Sequence, residues 1–315
     1  MQLYQRDAIE AAVKLDHDAL SIVEEAFAAL GRGGVVQPPI LSMAMEEFNS
    51  EVDVKTAHIH GWERFAIKVS TGSFDNPQRG LPSLNGLMMA FSAQTGLVDA
   101  VLFDEGYLTA VRTALAGAIA AKHLSRNDSR RVAVLGAGEQ AELQVAALRL
   151  VRDIDSVDVW ARRREAADNY VARLAGQGLQ VTAHDSVHAA CENADIIVTT
   201  TPSREPILNA ADLPEGVHVT AMGSDSPDKR ELDDSVMTRA DAFVCDTRAQ
   251  SENNGELKAF AGQEPPFKVY ELGKVIAEGQ SLRVSDATIT VCDLTGTGVQ
   301  DTAIANFALS RLAGD

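Results

Sequence analysis

Cysteine is scarce: Cys191, Cys245 and Cys292 lie far apart in a chain of 315 residues, with no CxxC pair. That spacing fits neither a disulfide framework nor a zinc site and reads as three buried thiols in a reducing compartment. Basic residues are also few, 28 against 45 acidic ones, and the net charge of −17 opposes binding to a phosphate backbone. No nucleic-acid partner is expected. No apolar run reaches the roughly 18 residues of a membrane helix, so no membrane association is expected either. The opening MQLYQRDAIEAAVKLDHDAL breaks its apolar positions with acids, unlike a signal or transit peptide, which points to a cytoplasmic protein. GxSxG, HExxH and P-loop motifs are missing, so hydrolase and kinase readings have no support. His58 and His60 share a strand face without a third ligand, and no metal is expected.

What the chain does have is 45% hydrophobic residues and length for two domains. Asp16 to Leu30 repeats apolar positions at helical spacing and stops at Gly31. Short β-type runs follow at 41–45, 52–57, 65–70, 87–93 and 97–103, the last two joined at Gln94-Thr95-Gly96 like a hairpin. This predicts an antiparallel α+β module. Tyr107 to Leu124 reads as a helix leading out of it. From Arg131 onward strands and helices alternate, which predicts an α/β, doubly wound parallel sheet of the Rossmann type. The expected domains are 121–296 for that sheet and 1–120 for the first module, rejoined by a terminal helix in 297–315. The stretch 255–285 is the least readable.

VAVLGAGEQAELQ (132–144) sets an apolar strand before Gly136-Ala137-Gly138-Glu139-Gln140-Ala141 and a helix. Gly136 allows the tight turn, Gly138 lets backbone approach a pyrophosphate, and Ala141 lets helix pack on strand. The pattern predicts dinucleotide binding. The acid that would bond an NAD ribose is missing after the next strand, where Ala161-Arg162-Arg163-Arg164 stands. Guanidinium groups there suit the 2′-phosphate of NADP, so the expected cofactor is NAD(P), with NADP favoured. Gly223, Ser224 and Asp225 end another sheet strand. Asp225 could hold or protonate a substrate nitrogen, or simply cap the turn that follows.

Lys68 alternates with Phe65, Ile67 and Val69, which puts it on the opposite strand face. Lysine is almost never buried unpaired, so Lys68, and likewise Lys55, is expected to face solvent. Arg112 differs, because the helix around it is otherwise almost uncharged and the guanidinium needs an anionic partner.

FAIKVSTG, GLPSLNGLMMAFSAQTGLVDAVL, LTAVRTALAGAIAAKHL, VAVLGAGEQAELQ, TAMGSDSPDKREL and DLTGTGVQD follow one another over nearly the whole chain. In this order they resemble the ornithine cyclodeaminase and μ-crystallin family, and PPILSM, EVDVKTA and FDNP resemble its branch found with ectoine-utilisation genes. The resemblance implies a homodimer with a substrate and dimerisation domain beside a Rossmann domain. It implies that Lys68 and Arg112 bind the substrate carboxylate, with Asp225 and Lys68 serving catalysis. It further implies cofactor contacts from Ser83, Thr113, the 136–141 turn, Thr200, Thr201, Met222 and Lys229. Lys55 stands near where ornithine-using members carry an acid for the distal ammonium, which turns the expectation toward a second substrate carboxylate. The implied activity is an NAD(P)H-dependent imine reductase or amino-acid dehydrogenase on a small imino acid, with iminosuccinate as one candidate. Ornithine cyclodeaminase and a non-catalytic NADPH-binding crystallin are the alternatives.

Overall fold

The computed structural model describes residues 1–314, and the chain divides into two compact units, Met1–Arg112 with the chain from Thr297 onward, and Thr113–Gly296. No helix among the described residues is long and apolar enough to cross a membrane.

The first unit is built on a sheet of β1 (Gln2–Gln5), β2 (Val35–Val36), β3 (Leu41–Met45), β4 (Ser50–Ile59), β5 (Arg64–Ser73), β6 (Leu84–Ser92) and β7 (Val98–Phe103). The order is β1-β7-β6-β5-β4-β2, with β3 also paired to β4. Neighbours from β4 to β7 are antiparallel, as the alternation predicts, but β1 joins the edge parallel to β7. QLYQ is too short to show a period, so the sequence reading of a purely antiparallel module misses it. Two helices follow β1, α1 (Arg6–Ala12) and α2 (His17–Gly31), and the Asp16 side chain caps α2 by accepting from Ala19 N at 2.8 Å.

The two faces of this sheet are the reverse of the expectation. Register places Lys55, Lys68, Met88 and Leu102 in one row and Ala57, Ala66, Ala90 and Ala100 in the next row of the same face. All of these residues are buried. Their face is covered by the C-terminal helix, Gly298–Ala313, which packs on β4, β5 and β6. The alanine row leaves room for it: a Cβ on Gly298 would lie 2.3 Å from the Thr56 carbonyl oxygen. Thr302 Oγ1 bolts the helix down, donating to Ala57 O at 2.7 Å and accepting from Ala66 N at 3.1 Å. The bulky set lies on the other face, where Val54, Ile67, Val69, Leu87 and Met89 stay half-buried and Phe65 stacks on Phe91 at 5.3 Å.

The second unit holds a parallel sheet of β8 (Arg131–Leu135), β9 (Ser156–Trp160), β10 (Gln180–Ala183), β11 (Ile196–Thr199), β12 (His218–Ala221), β13 (Ala242–Cys245), β14 (Val269–Glu271) and β15 (Thr290–Asp293). The order is β10-β9-β8-β11-β12-β15-β13-β14. Successive strands therefore depart in opposite directions on either side of the β8–β11 pair, the switch point where such sheets take ligands. Alternate strand residues feed two cores: Val132, Val134, Val157 and Val159 on one face, Ala133, Leu135, Ile197 and Val219 on the other. Helix α3 (Tyr107–Leu124) leads into the unit, and α4 (Glu139–Leu148), α5 (Arg164–Leu174), α6 (Val187–Cys191), α7 (Asp234–Arg239), α8 (Arg248–Asn253) and α9 (Leu272–Glu278) connect its strands.

Candidate active-site residues

The Gly136 turn joins β8 to α4. Gly136 has φ +126°, and a Cβ there would lie 2.4 Å from Thr200 Oγ1, so no side chain fits. A Cβ on Gly138 would meet nothing within 4 Å, which leaves open space over the start of α4. Gly138 is the N-cap of that helix and offers no side-chain cap, and Glu139 and Gln140 form the first turn, where the helix dipole favours an anion. Ala141 is fully buried under the strand. This is a cradle that fits a pyrophosphate. At the end of β9, Arg162 and Arg163 are exposed, whereas Arg164 is held by Asp168 and Asp185. Asp158 lies within β9 and faces His184 Nε2 at 2.7 Å.

Thr200 and Thr201 follow β11, and Met222 to Asp225 follow β12. One carboxylate ties them together. Glu231 is fully buried; its Oε1 accepts from Thr201 N at 2.6 Å and Thr201 Oγ1 at 2.7 Å, and its Oε2 from Gly223 N at 2.7 Å and Thr199 Oγ1 at 2.5 Å. Burial pushes its pKa up, and these four bonds oppose the shift. Gly223 is required here, because a Cβ would lie 2.1 Å from Thr201 O and 2.6 Å from the Glu231 carboxyl carbon. Lys258 closes the next loop, donating from Nζ to Ser224 Oγ at 2.9 Å, Ser226 O at 3.0 Å and also Lys229 O. Within that loop Asp225 Oδ1 meets Lys229 Nζ at 2.8 Å, and the Asp225 side chain is 44% exposed. Glu231 lies inside the SDSPDKREL segment that drew attention to Asp225, yet neither it nor Lys258 was singled out in the sequence.

The first unit supplies a separate cluster of charge. Lys55 and Lys68 are direct cross-strand partners on β4 and β5. Both are buried, at 6% and 2% exposure, contrary to the expectation of solvent-facing lysines. The cause is the alanine-lined face and the helix upon it. Asp301, in the first turn of that helix and fully buried, places Oδ1 2.9 Å from Arg112 Nε and Oδ2 3.2 Å from Lys68 Nζ. It is the anionic partner that Arg112 was expected to need. Burial, then Arg112, lower Lys68 to about 7; Lys55 acts in the same direction, and Asp301 opposes them. Asp104 precedes α3, where its Oδ2 accepts from Leu108 N at 2.8 Å. Burial raises it to about 6, with Lys68 among the groups that hold it down. Ser83 lies in the first unit, with its carbonyl bonded to Ser73 N at 2.7 Å; the Thr113 carbonyl accepts from Gln144 Nε2 at 3.1 Å. Among the described residues no group of three or more His, Cys, Asp or Glu is arranged to hold a metal ion.

Known proteins resemble this chain over nearly its whole length. An uncharacterized cyclodeaminase of Sinorhizobium fredii (strain NBRC 101917 / NGR234) is 47% identical over 318 residues, covering 99% of this chain and 96% of its own. The structure of an archaeal alanine dehydrogenase dimer with bound NAD superposes with a TM-score of 0.91 at 31% identity, over 100% of this chain and 96% of that one. The iminosuccinate reductase of Paracoccus denitrificans in complex with NAD+ gives 0.89 at 29% identity, over 100% and 96%. The profile of the Ornithine cyclodeaminase/mu-crystallin family matches residues 1–314, and with the glycine turn, the parallel sheet and the split first unit all in their places, the chain belongs to that family.

Proposed function

We propose that this protein is an NAD(P)H-dependent imine reductase, or amino-acid dehydrogenase in the reverse direction, acting on a small 2-imino acid, with iminosuccinate to aspartate as the leading conversion. The observation that carries this reading is Lys68 and Arg112 buried together about the Asp301 carboxylate, with Lys55 buried beside Lys68 and Asp104 near the same lysine. A substrate carboxylate suits a site where two buried cations share one carboxylate. Lys55 beside Lys68 adds positive charge that suits a second one. The likeness to an iminosuccinate reductase supports the same substrate class.

A nicotinamide dinucleotide, when bound, supplies or takes up the hydride. The Gly136–Ala141 turn and the α4 amides hold its pyrophosphate, with Ser83, Thr113, Thr200, Thr201, Met222, Gly223, Ser224 and Lys229 as further contacts. Arg162 and Arg163, exposed at the end of β9, favour NADP. Arg112 and Lys68 fix the substrate by its carboxylate, so that the imine carbon is presented in one orientation. Asp225 holds the nitrogen or delivers its proton, and Lys229 at 2.8 Å keeps the Asp225 carboxylate in place.

The half-buried apolar sheet face around Ile67, Leu87 and the Phe65–Phe91 stack supports a homodimer with this face covered by a second copy. Three free, buried cysteines support a reducing, cytoplasmic setting, and the PPILSM, EVDVKTA and FDNP segments support membership of the ectoine-utilisation branch.

The test is oxidation of NADPH and NADH with oxaloacetate, pyruvate or glyoxylate plus ammonia or methylamine, beside an ornithine sample assayed for proline. Rapid oxidation that depends on the amine and is fastest with oxaloacetate is the expected result. Proline formed without net cofactor change would replace this reading by a cyclodeaminase. Tight cofactor binding with no turnover would replace it by a non-catalytic binding protein.

A further inference from the structure

The functional reading gives Asp301 no task, yet its carboxylate is fully buried in the first turn of an anchored helix. Thr297 caps the C-terminal helix, with Gln300 Oε1 accepting from Thr297 N at 2.7 Å in a reciprocal box. Gly298 seats the first turn against the Thr56 carbonyl, and Thr302 is bolted to β4 and β5. Asp301 lies between these anchors, so its backbone cannot follow the cations; the cations must come to it. Its negative charge in the first helical turn is also favoured by the helix dipole. Neither carboxylate oxygen accepts a hydrogen bond from backbone or hydroxyl, which leaves Lys68 and Arg112 as its neutralising partners. It meets Arg112 through Nε, the nitrogen behind the terminal pair that takes a carboxylate in fork geometry.

We propose that Asp301 is a positioning residue for substrate recognition: it holds Arg112 by Nε and Lys68 by Nζ in the orientation that receives the substrate carboxylate. This rests on the reading that Lys68 and Arg112 bind that carboxylate. Two long side chains that would otherwise sample many rotamers are set before the ligand arrives, which is how a preorganised site gains affinity. Asp301 has a second effect, on charge. Of the groups facing Lys68, Lys55 on β4 and Arg112 on α3 disfavour its ammonium, whereas Asp301 on the C-terminal helix favours it. Asp104, ahead of α3, is an acid that interacts with the same lysine. Loss of the Asp301 charge therefore moves Lys68 deprotonation to lower pH.

The experiment compares wild type with Asp301→Asn, using the keto acid and amine that give the fastest NAD(P)H oxidation. KM for the keto acid should rise about tenfold or more, with kcat changed less than about threefold. The alkaline fall of kcat/KM should move to lower pH, which a purely structural defect would not produce. Thr302→Val, which loosens the helix without touching a charge, should lower stability and leave that pH limb where it was. Should Asp301→Asn fail to fold, Asp301→Glu keeps the charge but displaces it by a methylene, and is expected to raise KM with the pH limb retained. Wild-type KM and pH profile in the Asn variant, or wild-type KM in the Glu variant, overturns the proposal. Wild-type KM in Lys68→Met and Arg112→Ala would instead overturn the functional reading beneath it.

Discussion

Replacing Glu231 by glutamine changes no volume, so its effect isolates the charge and the donor pattern of one buried carboxylate. Glu231 accepts one backbone amide on each oxygen, Thr201 N on one and Gly223 N on the other, and one threonine hydroxyl on each as well. A hydroxyl can rotate and accept from an amide group; a backbone N–H cannot. Whichever way the glutamine side chain is turned, its NH2 points at one of the two backbone donors and leaves it buried and unpaired. Hydrogen bonds to a charged acceptor contribute roughly 1.5–3 kcal/mol, and a stranded buried donor costs about 1–3 kcal/mol, so a net loss of about 2–4 kcal/mol follows. At roughly 2–4 °C per kcal/mol for a unit of this size, the melting temperature should fall by about 5–15 °C. The bonds lost join the ends of β11 and β12, which carry Thr201 and Gly223, so fluorescence titration with NAD(P)H should show cofactor affinity weakened about tenfold or more. A variant that melts within about 1 °C of wild type and binds cofactor equally would refute the clamp.

Further consequences can be measured directly. Lys68 holds its proton in the folded protein only below about 7, against the usual lysine value of 10.5, so the unfolded chain binds more protons between those values. Stability should therefore rise with pH across that window, and denaturant titrations of Lys68→Met should show a flatter profile. On the proposed role of Lys68 at the substrate carboxylate, kcat/KM should fall over the same range. Arg162→Ala with Arg163→Ala should raise KM for NADPH about tenfold or more while leaving KM for NADH within about twofold; equal changes for both cofactors would remove the arginines from 2′-phosphate recognition. Burial pushes all three thiols up, so a thiol reagent should label none of Cys191, Cys245 and Cys292 in the native protein and all three in guanidinium. Ile67→Glu, on the outer sheet face, should give a monomer in sedimentation if a second copy covers that face, and an unchanged species would exclude the face as the interface.

The second unit was largely legible because most of its strands announce themselves as short apolar runs, and the glycine turn follows the first of them as the motif requires. Its strand order was not, since nothing in ITVCDL says that β15 inserts between β12 and β13, nor that KVYEL forms an edge strand in the unreadable stretch. The first unit was misread in one respect with large consequences. Alternation in FAIKVS separates the two faces correctly, but the rule that bulky residues point inward assigns them wrongly. Here the inner face is made of alanine and lysine, because a helix must approach the sheet closely enough for Gly298 to touch Thr56. Bulky side chains on that face would hold the helix away and with it Asp301.

That inversion also explains why the acids escaped notice. Arg112 drew attention because a lone guanidinium in an uncharged helix demands a partner, and the same argument applied to Asp301 in GVQDTAIANFAL would have paired the two. Glu231 gave no such signal, since SDSPDKREL is dense in charge and a buried glutamate looks there like any solvated one. Both carboxylates bear on residues of the proposed function: Asp301 meets the two cations assigned to the substrate, and Glu231 joins the loops assigned to the cofactor. A fully buried acid costs stability unless cations or hydrogen-bond donors meet it, two cations at Asp301 and four donors at Glu231, so each is tolerable only where such groups converge. Convergence of that kind is a property of the folded chain, and it identifies positioning residues that composition and spacing leave unmarked.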